Sequence, residues 1–215
     1  MSVTVPRGFV ANGVACGIKP AGRPDLSLVA TADGRPVATA AVFTTNLATA
    51  APVLVSRSHL AATGGRAAAV VLNSGNANAA TGSSGRAASE RTCALVAAAL
   101  GCRPEDVLVC STGLIGIPLP MAPIEAGVAP LVDGLSGDGG TRAADAILTT
   151  DTRRKEVVVA GDEWSVAGMA KGAAMLAPHL ATMLAVLTTD ADVAPGPLGD
   201  ALVAATAATF NAMTV

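Results

Sequence analysis

Three stretches of this 215-residue chain contain no Asp, Glu, Lys or Arg: residues 36–56, 107–124 and 172–189. Each has roughly the length of a membrane span, since a transmembrane helix needs about 20 largely apolar residues. Each is also interrupted where such a helix would suffer. The first carries Asn46 and Pro52, the second Pro118, Pro120 and Pro123, and the third Pro178-His179. The runs therefore read as buried strands and loops of a soluble domain, in spite of a mean hydropathy of +0.54. The segment 1–7 has no basic stretch followed by an apolar one, so nothing addresses the chain for export and a cytoplasmic location is expected.

The length suits one large domain or two small ones, with a substantial core. Lys and Arg number 14 against 16 Asp and Glu, a net charge of −2. A protein that grips a nucleic-acid backbone needs a basic patch, and none is present. The aromatic residues are Phe9, Phe43, Trp164 and Phe210, with no Tyr, so base stacking has little to work with. The core has to be assembled from Ala, Val and Leu. Cys16, Cys93, Cys102 and Cys110 form no C-x-x-C pair, and His59 and His179 lie far apart, so no metal site is expected. Four small, mostly buried thiols in a reducing compartment account for the cysteines.

Val-rich runs bounded by Gly, Pro or Asn predict strands over 26–31, 37–43, 52–56 and 67–72. Residues 85–100 predict a helix stopped by Gly101, and 107–110 a short strand running into a Ser111-Thr112-Gly113 turn. Helices are expected over 123–132, 141–148 and 198–213. A hairpin is expected around Gly161-Asp162, joining 156–160 to 164–167, and a buried strand over 182–187. This α/β mixture does not alternate regularly, so a doubly wound nucleotide fold is not the natural reading. Neither G-x-x-x-x-G-K-[ST] nor G-x-G-x-x-G occurs.

Three polar islands interrupt apolar sequence. Asn73-Ser74-Gly75-Asn76-Ala77-Asn78 follows a strand and suits a structured turn or helix entry. Ser111-Thr112-Gly113-Leu114-Ile115-Gly116 places a hydroxyl beside a glycine N–H at a strand end, the pair of donors an oxyanion hole requires. The third runs from Lys171-Gly172 through Pro178-His179 to Ala181-Thr182-Met183-Leu184. A threonine hydroxyl is a poor nucleophile without a base, and one solution is its own α-amine, freed by chain cleavage. That amine has a pKa of about 7.7–8.0, close to neutral. Small Ala181 leaves the preceding carbonyl open to the Thr182 hydroxyl.

Together these islands resemble the ornithine acetyltransferase (glutamate N-acetyltransferase) family of arginine biosynthesis. The resemblance rests on Gly8-Phe9 with Ala11 and Gly13, Val42-Phe43-Thr44-Thr45-Asn46, Ala51-Pro52-Val53, Asn73 to Asn78, Ser111 to Gly116 and Leu119-Pro120-Met121. It continues through Thr149-Thr150-Asp151-Thr152, Lys171-Gly172 with Met175, Ala181-Thr182-Met183-Leu184 and Thr189-Asp190-Ala191, in order along the whole chain.

The resemblance implies an α/β sandwich-like fold similar to the amidase DmpA, with chemistry comparable to N-terminal-nucleophile hydrolases. It implies a precursor that cuts itself between Ala181 and Thr182, giving an α-chain region 1–181 and the start of a β-chain region at 182–215. Thr182 becomes the nucleophile, Thr112 and Gly113 the oxyanion hole, and Thr149 and Lys171 substrate-binding residues, with Thr182 also touching substrate. The acetyl group then moves from N2-acetyl-L-ornithine to L-glutamate through an acetyl-threonine. No cofactor is needed, although acetyl-CoA serves some family members as a donor. Complete members are implied to be α2β2 tetramers about twice this length. The apolar end at Met213-Thr214-Val215 reads as a chain cut in mid-structure, incomplete at the C-terminus, with apolar surface exposed where the missing β-chain half packs. Ala174 departs from the family's usual Gly before the Met of the Lys-Gly loop. Two other readings share these motifs: a self-processing amidase or aminopeptidase that releases its acyl group to water, which glutamate dependence would separate, and an inactive truncated fragment of the transferase.

Overall fold

The computed structural model describes residues 2–173 and 183–213. Ala174, Ala181 and Thr182, three positions singled out above, lie outside the described residues.

A four-stranded sheet forms the centre. Its strands are β1 (Phe9–Val14), β2 (Leu26–Thr31), β5 (Ala69–Asn76) and β6 (Val107–Leu114), in the order β1-β2-β5-β6. β1, β2 and β5 are antiparallel neighbours, whereas β5 and β6 run parallel, joined by the crossover helix α2 (Gly82–Leu100). The short β3 (Val37–Ala38) and β4 (Arg66–Ala67) pair as a ribbon, and α1 (Ala51–Ala62) lies between them in sequence. After β6 come α3 (Met121–Asp133) and α4 (Gly140–Ala146). A three-stranded antiparallel sheet then follows from β7 (Lys155–Ala160), β8 (Ser165–Lys171) and β9 (Leu184–Thr189), with α5 (Pro195–Ala208) beyond it.

Two apolar clusters hold these layers together. On one face of the central sheet Leu26, Leu28, Val71, Val107 and Val109 pack on Val55 of α1, Val96 of α2 and Ile124 and Leu131 of α3. On the other face Val29 and Leu72 meet Ala143 and Ala144 of α4 together with Met169 and Val186 of the second sheet. The result is a helix–sheet–sheet stack of mixed α/β class. Truncating a fully buried leucine such as Leu28 would cost about 2–5 kcal/mol. The outer face of the second sheet leaves Val157, Val159 and Leu187 exposed. Among the described residues no helix is long and apolar enough to cross a membrane, and no group of His, Cys, Asp and Glu could hold a metal ion.

Several local expectations need correction. Residues 52–56 are helical, the first turns of α1. A short Val-rich run is equally apolar as strand or helix, and Pro52 favours the helix because its fixed φ suits a first turn. Only Val37–Ala38 of the strand expected over 37–43 finds a partner. Ser111-Thr112-Gly113 is not a turn after a strand but part of β6, and β5 likewise runs on through Asn76. The strand expected over 182–187 begins at Leu184 and ends at Thr189. β1 carries little strand signal in its sequence, because Asn12 and Gly13 interrupt its short apolar run. The final helix stops at Ala208, short of 213. The Gly161 hairpin forms as expected, closed by the Gly161 N–H donating to the Trp164 carbonyl at 2.8 Å, and Gly101 ends α2 with a left-handed φ of 74°.

Strand β6 is an edge, and an edge strand has unpaired backbone groups. Helix α1 satisfies them with side chains. Ser56 Oγ donates to the Val109 carbonyl at 2.7 Å and accepts the Val109 N–H at 2.9 Å. His59 Nδ1 donates to the Val107 carbonyl at 2.8 Å. His59 thus serves the sheet.

Candidate active site at the ends of two parallel strands

The two polar islands at Asn73 and Ser111 lie side by side. The parallel register pairs Asn73 with Ser111, Ser74 with Thr112 and Gly75 with Gly113, and the ladder then shifts at Asn76. Gly113 has φ +135° and Gly75 φ +105°, values that favour glycine. A Cβ on Gly113 would stand 2.3 Å from the carbonyl carbon of Gly75, so no larger residue fits. The asparagines of the first island brace this irregularity. Asn73 Nδ2 donates to the Asn76 carbonyl at 2.8 Å, Asn76 Nδ2 to the Ile117 and Pro118 carbonyls at 3.1 Å, and Asn78 Nδ2 to the Gly85 carbonyl and Ser89 Oγ. They hold the strand end and the start of α2 together, as a structured helix entry would.

Backbone parity gives the direction of the Gly113 N–H. Val109 turns its N–H and carbonyl to Ser56, off the free edge, so residues of that parity face outward and Thr112 faces β5. Across a trans peptide the next N–H points opposite to the carbonyl. The Gly113 N–H therefore points off the free edge, beyond the part of β6 that Ser56 and His59 cover.

The Thr112 side chain projects into the gap between the sheets, only 2% exposed. There it meets Lys171, the last residue of β8, which is 4% exposed. Lys171 Nζ donates to Thr112 Oγ1 at 3.2 Å. An ammonium has donors and no acceptor, so the Thr112 oxygen is the acceptor and its own proton is left to be donated elsewhere. Burial pushes the Lys171 pKa down; the Asp151 carboxylate opposes that shift and the Lys155 ammonium adds to it.

Thr149 is half-buried in the turn that follows α4, with its N–H directed at Asp151 Oδ2 at 3.5 Å. The structure thus brings together Thr112, Gly113 and Lys171, and links Thr149 to them through Asp151, which also accepts the Gly172 N–H at 2.9 Å. Lys171 and Leu184 are register partners, so the two ends of the segment containing Ala181 and Thr182 meet at one end of the β8–β9 pair.

Sequence reasoning missed Lys19 and Asp25. Asp25 is fully buried and accepts the N–H groups of Cys16, Gly17 and Lys19 at 2.7, 3.1 and 2.8 Å. That folds the loop so that Lys19 Nζ donates to the Pro24 carbonyl at 2.8 Å and the Leu148 carbonyl at 2.6 Å, immediately before Thr149. Burial and the nearby Arg23 and Lys171 charges lower its pKa to about 8, with Asp25 opposing. The available signal was a cluster of three charges, Lys19, Arg23 and Asp25, in a Gly/Pro loop just before a buried strand.

Residues 10–215 match the ArgJ family. The chain belongs to that family. Among curated ArgJ relatives, the arginine biosynthesis bifunctional protein ArgJ of Streptomyces avermitilis is 54% identical over 211 residues, covering 98% of this chain and 54% of the relative. The namesake protein of Mycobacterium bovis is 52% identical over 221 residues, covering 99% and 54%. This ArgJ-family chain therefore spans about half the length of the curated relatives it matches. A solved ornithine acetyltransferase from Mycobacterium tuberculosis, in complex with ornithine, superposes with a TM-score of 0.79 at 51% identity, covering 84% of this chain and 96% of that one. The arginine biosynthesis bifunctional protein of Bacillus halodurans gives 0.68 at 30% identity, covering 88% of each. The family and the mixed α/β fold implied by the sequence motifs both stand.

Proposed function

We propose that the ends of β5, β6 and β8 form half of an acyl-transfer site in an ornithine acetyltransferase of arginine biosynthesis. The observation that carries this reading is the Lys171–Thr112 hydrogen bond beside an outward Gly113 N–H. It leaves a hydroxyl proton and a backbone N–H available at one strand end, the donors an oxyanion needs.

In this reading Thr182 first attacks the Ala181 carbonyl. Water hydrolyses the resulting ester, dividing the chain into 1–181 and a piece beginning at Thr182. The exposed α-amine then takes the proton from Thr182 Oγ as that oxygen attacks the acetyl carbon of N2-acetyl-L-ornithine. The Oγ–C bond forms, Thr112 and Gly113 hold the oxyanion, and the C–N bond breaks as the proton passes to the departing ornithine amine. The α-amine of L-glutamate attacks the acetyl-threonine, forms a new C–N bond and returns the proton to Oγ. Thr149 and Lys171 hold the substrates, and acetyl-CoA is a second candidate donor. No cofactor is required. The remaining length of an ArgJ protein completes the site, in a tetramer of two cut chains.

The test is the denatured intact mass of the purified chain beside Thr182→Ala. Two fragments divided at Ala181–Thr182, absent from the variant, are expected once the rest of an ArgJ protein is co-expressed. A chain left whole under those conditions overturns the reading. Acetyl transfer from N-acetylornithine to glutamate, measured on the same co-expressed material, separates a transferase from an amidase that uses water.

A further inference from the structure

The Asp151 side chain is fully buried yet ionisable, and none of the acyl-transfer steps above uses it. It accepts the Gly172 N–H at 2.9 Å, binds the Lys155 ammonium, and lies 3.5 Å from the Thr149 N–H. These partners come from three places: the turn after α4, the first residue of β7, and the residue after β8. Burial alone would raise the Asp151 pKa; the Lys155 ammonium and the Gly172 and Thr149 N–H groups more than offset this and hold it below the usual carboxylate value. A buried carboxylate at this junction therefore stays charged, hydrogen-bonded to the N–H of the residue that follows Lys171.

We propose that Asp151 is a positioning residue for the acyl-transfer site, fixing the β8 end through Gly172 and keeping Lys171 as a hydrogen-bond donor to Thr112. This rests on the acyl-transfer reading for its purpose, though its geometry does not depend on turnover. If Lys171 lost its charge, its nitrogen could accept the Thr112 proton, and the hydroxyl would turn away from the oxyanion. Among the described residues, the charged groups near Lys171 are Asp151, which favours the ammonium, and Lys155 and Lys19, which oppose it.

The experiment follows the titration of Lys171 by NMR in protein labelled at lysine Cε, with Lys171→Arg used for assignment, and the exchange of the Gly172 amide. Asp151→Asn keeps an oxygen for Gly172 and removes the charge. The Lys171 midpoint is expected to move to lower pH while Gly172 stays protected. Lys155→Met, at a half-exposed position, removes a like charge and is expected to move the midpoint to higher pH. Asp151→Ala is expected to speed Gly172 exchange about tenfold, the loss of one charge-assisted hydrogen bond. An unmoved Lys171 midpoint in both charge variants, or unchanged Gly172 exchange in Asp151→Ala, overturns the proposal. If Asp151→Ala fails to fold, the near-isosteric Asp151→Asn decides it by the sign of the Lys171 shift. None of these readouts requires cleavage or acetyl transfer, so failure of the functional reading would appear separately, in the mass and transfer assays.

Discussion

Gly75 and Gly113 face each other across the parallel strand pair so closely that neither backbone leaves room for a side chain on Gly113. Both have positive φ at the point where the register shifts, next to the residue whose side chain meets Lys171.

Gly113→Ala forces a Cβ into the Gly75 backbone and places alanine at φ +135°. A loss of at least about 2 kcal/mol in unfolding free energy is expected, from strain at a forbidden conformation and the clash together. Urea denaturation of the purified chain measures it, and a loss below about 0.5 kcal/mol would mean that the strand ends relax freely.

Removing the Thr112 hydroxyl should tell on chemistry more than on folding. Thr112→Val leaves Lys171 without its acceptor and, under the acyl-transfer proposal, removes one oxyanion donor, whose loss typically costs about 10²–10³ in rate. Thr112→Ser restores both groups and should recover most of that rate. The appearance of the fragment starting at Thr182, timed by mass spectrometry in processing-competent material, provides the comparison.

Ser56 holds both the N–H and the carbonyl of Val109 with one buried hydroxyl. Ser56→Ala leaves these edge groups without a partner, and a destabilisation of about 1–3 kcal/mol is expected. Thermal unfolding monitored by circular dichroism checks it; a negligible change would show that water replaces the serine.

Lys19 gives stability a pH dependence with a definite sign. Its pKa falls from 10.5 to about 8 on folding, so between those values the unfolded chain binds more protons than the folded one. Stability contributed by this group therefore rises with pH across that window. Cys16, Cys93 and Cys110, with thiols pushed by burial from 9.0 to about 12, act in the opposite direction at higher pH. The informative quantity is the difference between wild type and Lys19→Met: the variant should lack the gain between pH 8 and 10. Parallel stability–pH curves would contradict the buried position of this ammonium.

What could be read from the sequence followed from short-range signals. Gly101 stops α2 and Gly161 turns the hairpin because each acts on its immediate neighbours. The resemblance implies one site for Thr112, Gly113 and Lys171; the structure hydrogen-bonds Lys171 to Thr112 across 59 residues of chain. What could not be read was pairing between distant segments. Ser111 to Gly113 looks like a turn until β5 supplies a partner with its own kink at Gly75. Residues 52–56 look like a strand until Ser56 and His59 are needed at the open side of β6. Lys19 and Asp25 meant little as isolated charges, because their importance lies in carbonyls and amides that only the fold brings to them.

The six-residue register between β8 and β9, beginning at Lys171 and Leu184, has a consequence for any cut made between Ala181 and Thr182. The two products would remain knitted by backbone hydrogen bonds on both sides of the gap, with buried Met169 and Val186 fastening the same strands to the central sheet. Each fragment would face its counterpart at the high effective concentration of a shared fold rather than that of bulk solution. A gel filtration column would see one particle before and after processing. The strand that resumes at Leu184 would stay paired with Lys171 without the molecule having to come apart.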